Sequence, residues 1–264
     1  MQTIRERLRN TPVGGAWGSL KSFARVFLPW HVSPRGRKSH KSLEMFRNRH
    51  QGERAFILGN GPSINRTDLS PLKNEWTFAT NRFYLKFSQT DFRPSYYAVV
   101  NEHVITQFIQ EIAELPMPKF LTWNLRHIIP DKDGILLYPQ LRRSVFSPDP
   151  TRGISAGYTV TFICMQLAFF MGFKSVYLLG VDHYFETKGQ ANLLVTSQSD
   201  DPNHFHPSYF GVGVRWQLPD LEASEQSYRM AKSYYEAHDR CIYDATIGGH
   251  LQVFPKVDYA SLFN

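Results

Sequence analysis

Apolar runs of four or five residues recur along this chain, and several stop at a glycine, an asparagine or an aspartate. Ala55–Leu58 runs into Gly59-Asn-Gly-Pro-Ser63, Trp76–Thr80 into Asn81, Tyr96–Val100 into Asn101, and Ser175–Leu179 into Gly180-Val-Asp182. Lys119–Trp123, Ile135–Tyr138 and Cys241–Tyr243 have the same short apolar character. Runs of this length, bounded by turn residues, read as buried strands. Helical or mixed patterns lie between them: 103–115, the apolar stretch 157–171 closed by Gly172, and the amphipathic stretch 221–238. Strands that alternate with helices predict an α/β fold with a Rossmann-like, mainly parallel sheet flanked by helices. In open sheets of this kind ligands bind beyond the carboxyl ends of the strands. The four polar strand ends therefore predict one shared site containing Gly59–Ser63, Asn81, Asn101 and Asp182.

Composition narrows the functional classes. A chain of 264 residues with 42% hydrophobic content can bury a sizeable core and is not disordered throughout. Two cysteines, Cys164 and Cys241, exclude a disulfide scaffold and a four-cysteine zinc site. No apolar run approaches the roughly 18–20 residues of a membrane span. Met1–Asn10 adjoins no hydrophobic signal core, so a cytoplasmic protein is expected.

The net charge of +7 is uneven: residues 1–52 carry +9 and the remainder −2. The chain thus divides into a basic amphipathic extension, 1–52, and a single α/β domain, 53–264, with His50–Arg54 read as a linker. In the extension Trp17, Leu20, Phe23, Phe27 and Trp30 form an apolar stripe beside Lys21 and Arg25, ended by Pro29. Such a helix packs on the body, holds a second subunit in a homo-oligomer, or lies on an anionic membrane surface. Membrane contact would place the protein peripherally at the inner membrane. A slightly acidic body with no recognised binding module argues against nucleic acid.

Several motifs carry a chemical and a plain reading. Gly59-Asn-Gly-Pro-Ser63 lacks the Gly-Lys-Ser/Thr of a Walker loop and the third glycine of a dinucleotide fingerprint. It is a tight turn or a cradle whose amides approach a phosphate or ribose. Gly153-Ile-Ser-Ala-Gly157 matches a nucleophile elbow, with Asp244 and His250 following in hydrolase order. The prolines of Ser147-Pro-Asp-Pro-Thr151 oppose the strand an elbow needs. The motif is read instead as a helix start with Ser155 as cap or anion ligand. Asp131-Lys-Asp133 precedes Gly134 and reads as a turn rather than a metal pair. Residues 190–218 read as an ordered lid, in which His204 or His206, near Tyr209, is a candidate general base. His103 and His183 read as structural or peripheral, and Cys164 as a core residue.

Taken in order, Ile57-Leu-Gly-Asn-Gly-Pro-Ser63, Asn81-Arg-Phe-Tyr84, Asn101, Ile154-Ser-Ala-Gly157 and Tyr177-Leu-Leu-Gly-Val-Asp-His-Tyr184 resemble glycosyltransferase family 42, the bacterial sialyltransferases that cap lipooligosaccharide. They also resemble the wider domain family of motility-accessory flagellin glycosyltransferases and archaeal hydroxymethylpterin diphosphokinase. The resemblance spans roughly residues 54–250 and implies a GT-A-like variant of the fold with a CMP-sugar site. By it, Gly59, Asn60, Gly61 and Ser63 surround the nucleotide phosphate and ribose, and Asn81 and Asn101 contact ribose or cytosine. Ser155, Ala156 and Gly157 offer backbone amides, Tyr184 meets the departing phosphate, and His206 or His204 is the base. No second phosphate-binding tyrosine stands in Phe185–Gly189, and Ala156 splits the family's serine–glycine pair. The implied activity is metal-independent, inverting transfer from a CMP-activated sialic acid or other nonulosonate-like sugar to a glycan or glycoconjugate acceptor, with no cofactor. The diphosphokinase branch implies Mg²⁺ on carboxylates such as Asp182 or Asp201. A non-catalytic nucleotide-binding protein and a hydrolase acting through Ser155 complete the range of functions these motifs allow.

Overall fold

The computed structural model describes residues 26–264. Seven strands form one sheet, and every neighbouring pair in it is parallel. They are β1 (Arg54–Leu58), β2 (Trp76–Thr80), β3 (Tyr96–Val99), β4 (Lys119–Thr122), β5 (Ile135–Tyr138), β8 (Ser175–Leu179) and β11 (Cys241–Asp244). Each short apolar run of the sequence forms one of them. Burial explains the match, because β1 to β4 carry almost no exposed side chain. A strand covered on both faces has no polar alternation to show.

The strand order is β11-β8-β1-β2-β3-β4-β5. The chain steps outward from β1 to β5 and then crosses back to lay β8 on the other side of β1. The connections therefore diverge between β1 and β8, and a crevice opens at the carboxyl ends there. A short parallel pair, β6 (Gln140–Leu141) and β7 (Ile154–Ser155), lies between β5 and β8 in sequence.

Five α-helices are described: α1 (Leu28–Val32), α2 (Pro34–Glu44), α3 (Glu102–Glu114), α4 (Val160–Phe170) and α5 (Leu221–Glu236). All eleven residues of α4 are buried, against β1, β2 and β3 and against α5. The helix starts at Val160, not at 157. Gly157 and Tyr158 hold left-handed backbone at φ 55° and 64°, and Thr159 is the cap, accepting from the Thr161 amide at 3.3 Å. Ser155 is thus a buried strand residue and not a helix cap.

Pro29 stands in the first turn of α1, which runs on past it to Val32. Trp30 is fully buried edge-on to Trp123, 5.4 Å away, and its Nε1 donates to the Thr151 carbonyl at 3.0 Å. His50 is buried as well, stacked on Phe173 at 4.7 Å and bonded through Nε2 to the Tyr96 hydroxyl at 2.6 Å. The segment His50–Arg54 is therefore packed chain rather than an open linker. Trp17, Leu20 and Phe23 of the apolar stripe lie outside the described residues. Among the described residues no helix is long and apolar enough to cross a membrane.

Residues 190–218 contain an antiparallel hairpin, β9 (Leu194–Thr196) and β10 (Arg215–Gln217), around a loop without regular periodicity. Gln107 of α3 exchanges two hydrogen bonds with the Arg215 backbone, at 2.8 and 3.0 Å. Buried Arg82 donates through Nη1 to the carbonyls of Ser208, at 2.7 Å, and Tyr209, and its guanidinium lies 3.7 Å over the Phe108 ring. Phe205 is buried near Phe83. These contacts seat the loop over the carboxyl edge of the sheet.

Candidate functional site

A cavity of about 520 Å³ opens where β1 and β8 diverge. Its floor is the row of residues that follow the strands. Asn60 follows β1, Asn81 follows β2, Asn101 follows β3 and Asn124 follows β4. The loop after β8 supplies Asp182, His183 and Tyr184, the turn before α4 supplies Ala156, Tyr158 and Thr159, and α5 supplies Ser224 and Tyr228. His204, Tyr209 and Trp216 come from the lid.

The asparagines are placed by their own hydrogen bonds. Thr80 Oγ1 donates to the Leu58 carbonyl at 3.0 Å, so it must accept from Asn60 Nδ2 at 2.8 Å. That fixes the Asn60 amide and leaves Oδ1 as a buried acceptor with no partner. Asn81, in left-handed backbone at φ 48°, also has a buried Oδ1 without a partner, while its side chain is hydrogen-bonded to the Tyr209 hydroxyl. Buried acceptors are rarely left unpaired, and both of these belong to residues that line the cavity. Asn101 is partly committed, since its Oδ1 caps α3 by accepting from the amides of His103 and Val104.

The glycine loop is shaped by the chain itself. The amides of Gly59 and Gly61 donate to the carbonyls of Leu179 and Gly180, at 2.7 and 2.9 Å. The Ser63 amide and hydroxyl both donate to Asp182, at 3.0 and 2.6 Å. These amides are spent inside the protein and cannot cradle a phosphate. Gly59 and Gly61 line the cavity, while Ser63, fully buried, lies behind it and holds Asp182.

His204 and Asp201 form a close pair in the lid. Asp201, whose side chain is 1% exposed, takes His204 Nδ1 at 2.7 Å and the amides of Asn203 and Phe210 at 2.8 and 3.0 Å. Burial pushes the Asp201 carboxyl up, but these hydrogen bonds and the neighbouring imidazole outweigh it and hold it below the usual range. The imidazole stacks on Tyr209 with ring centres 4.0 Å apart. Burial raises the Tyr209 hydroxyl, which stays neutral. With Nδ1 engaged, Nε2 is the nitrogen left to meet a substrate hydroxyl.

Of the residues expected from sequence, Gly59, Asn60, Gly61, Asn81, Asn101, Ala156, Asp182, Tyr184, His204 and Tyr209 line this cavity. Ser63, Ser155, Gly157 and His206 do not. His206 accepts the Ser208 amide through Nδ1 at 3.1 Å, as a turn cap. The Ser155 backbone is bonded to the Gln166 side chain within the core. Asp244 pairs with Lys256 at 2.6 Å, not with a histidine, so no hydrolase triad forms. Asp131 and Asp133 lie by Lys38, outside the cavity.

The sequence reading missed Asn124 and His183. Asn124 repeats the pattern of a polar residue just past a strand. His183 lines the cavity with Nε2 3.1 Å from Glu225 Oε1, and only the fold brings that partner to it.

No described lysine or arginine lines the cavity, although the chain holds 30 of them. Among the described residues no three or more His, Cys, Asp or Glu are grouped to hold a metal ion. Ser63 binds both Asp182 oxygens, and His204 and amides bind those of Asp201.

No protein-family model matches this chain, and no curated protein matches it. Among solved structures it is similar to the MAf glycosyltransferase from Magnetospirillum magneticum AMB-1, at 14% identity with a TM-score of 0.50. The match covers 96% of this chain and 43% of that one, so this chain spans less than half the length of that protein. The likeness is one of fold: an α/β Rossmann-like architecture with a seven-stranded parallel sheet.

Proposed function

We propose that this chain is an inverting glycosyltransferase that needs no metal. Its donor is a CMP-activated sugar, a sialic acid or another nonulosonate-like sugar, and its acceptor is a glycan or glycoconjugate. The observation that carries the reading is the meeting, in one cavity, of His204, held by Asp201 behind it, with Asn60 and Asn81, whose Oδ1 atoms have no partner. Ribose hydroxyls and an exocyclic amine supply donors of the kind those oxygens lack. The lack of lysine and arginine among the described lining residues favours a donor with one phosphate over a diphosphate or triphosphate, whose adjacent charges need cations. The MAf glycosyltransferase fold supports glycosyl transfer in general.

In this mechanism the acceptor hydroxyl gives its proton to His204 Nε2 and attacks the anomeric carbon. The bond from that carbon to the donor phosphate breaks, and CMP leaves with the electron pair. Attack from the opposite face inverts the anomeric centre. Asp201 holds the Nδ1–H tautomer and balances the imidazolium that forms. Asp182, held from behind by Ser63, shapes the wall.

The test follows CMP release from a CMP-linked nonulosonate in EDTA. H204Q is expected to lose about 10²–10⁴-fold in kcat, the usual share of a general base, while H206A keeps its rate. Undiminished turnover in H204Q overturns the base assignment. Consumption of ATP with a pterin acceptor, abolished by EDTA, would instead favour diphosphate transfer.

A further inference from the structure

A second histidine that lines the cavity, His183, is paired with a carboxylate and left unused by the base chemistry. His183 stands where the chain leaves β8, with its side chain 9% exposed and its backbone left-handed at φ 54°. A residue other than glycine adopts that conformation at some cost, and the surroundings must hold it there. Glu225 of α5 does so through the 3.1 Å contact to Nε2, and its other oxygen accepts from Arg229 at 2.6 Å. The second ring nitrogen, Nδ1, has no hydrogen-bond partner among the described residues.

We propose that His183, oriented by Glu225, donates from Nδ1–H to the phosphate that departs with the nucleoside. This rests on the glycosyl-transfer reading and names a further group for it. When the bond between the anomeric carbon and the phosphate oxygen breaks, the electron pair stays on that oxygen. The phosphate then passes from one negative charge to two, and a transferase must stabilise the added charge. Beside the Tyr184 hydroxyl, which carries no charge of its own to offset it, the described part of this cavity offers no lysine, no arginine and no metal cluster to do so. With Nε2–H turned to Glu225, Nδ1 is the ring nitrogen left to donate to the phosphate. The contact is a charge-assisted hydrogen bond, so no proton moves beyond the one the acceptor gives to His204.

Calorimetric titration with CMP and with cytidine, both in EDTA, tests the role. The parent chain is expected to bind CMP about tenfold more tightly than cytidine, the size of one hydrogen bond to a charged group. H183Q is expected to lose that preference while its cytidine affinity stays within about twofold, a ratio that a merely structural role would not move. E225Q keeps the imidazole and is expected to lose part of the preference. H183Q that binds cytidine normally and still prefers CMP as the parent does overturns the proposal. If H183Q binds neither ligand, E225Q decides, and an undiminished preference there overturns it. A parent chain that binds neither CMP nor cytidine brings down the nucleotide reading itself, a result distinct from a failure of His183 alone.

Discussion

A β-carbon on Gly61 would overlap the Asp182 carboxylate, and one on Gly59 would overlap the Gly180 carbonyl. The two loops that follow β1 and β8 are pressed together, and glycine is what lets them approach. Overpacking at such a contact costs about 1–3 kcal/mol. G61A should therefore lower the stability read from urea unfolding by that amount, and an unchanged midpoint would contradict the close approach. The same residues show how far a sequence motif reaches. Gly59-Asn-Gly-Pro-Ser63 marked the right place, because a glycine pair after a strand signals a close approach of backbone. It could not say that the approaching group is a carbonyl and a carboxylate of the protein rather than a phosphate. His204 and His206 are equally plausible on a line of text. Only the lid's fold, with Asp201 three residues earlier, sets His204 apart. His183 looked peripheral because its partner is 42 residues away.

Helix α4 shows the same limits at the scale of an element. Its apolar run identified it as buried, yet its start was misplaced because Gly157 and Tyr158 turn left-handed before Thr159 caps it. The seven strands were legible as apolar runs, and their polar ends located the site edge. Their order was not legible, since parallel pairing joins strands far apart in sequence. Gln166 is the polar exception within α4. Its Oε1 accepts from the amides of Ser147 and Ser155, and its Nε2 donates to the Ser155 and Phe162 carbonyls. It thereby satisfies the β7 turn that brings Ala156 to the cavity. Q166L preserves the volume but strands those backbone groups, so a loss of about 2–4 kcal/mol is expected from chemical denaturation. A loss below about 0.5 kcal/mol, typical of a surface change, would mean that the network is not needed.

At the scale of the molecule, Trp30, Leu43 and Phe46 pack into the same core as the sheet. His50 is one of the ties. Burial lowers its pKa below the ordinary 6.5, against the pull of Glu53 and together with Arg49. The unfolded chain then binds the proton more readily than the folded one. The contribution is complete above pH 6.5 and is lost as pH falls from there toward the folded value. Melting temperatures of the parent and H50Q should therefore converge as pH drops below 6.5, whereas a constant difference would refute the buried neutral imidazole.

The central claim is a cavity that takes a nucleoside monophosphate without a metal. Melting temperature measured with CMP, CDP, UDP, GDP and ATP, in EDTA and again with Mg²⁺, tests it most directly. A ligand that binds only the folded state at a hundred times its Kd adds about 2.7 kcal/mol, or roughly 5–10 °C for a chain of this size. The account predicts such a rise for CMP in EDTA and a smaller rise or none for the diphosphates and ATP. Stabilisation by ATP with Mg²⁺ alone, with CMP silent, would contradict it.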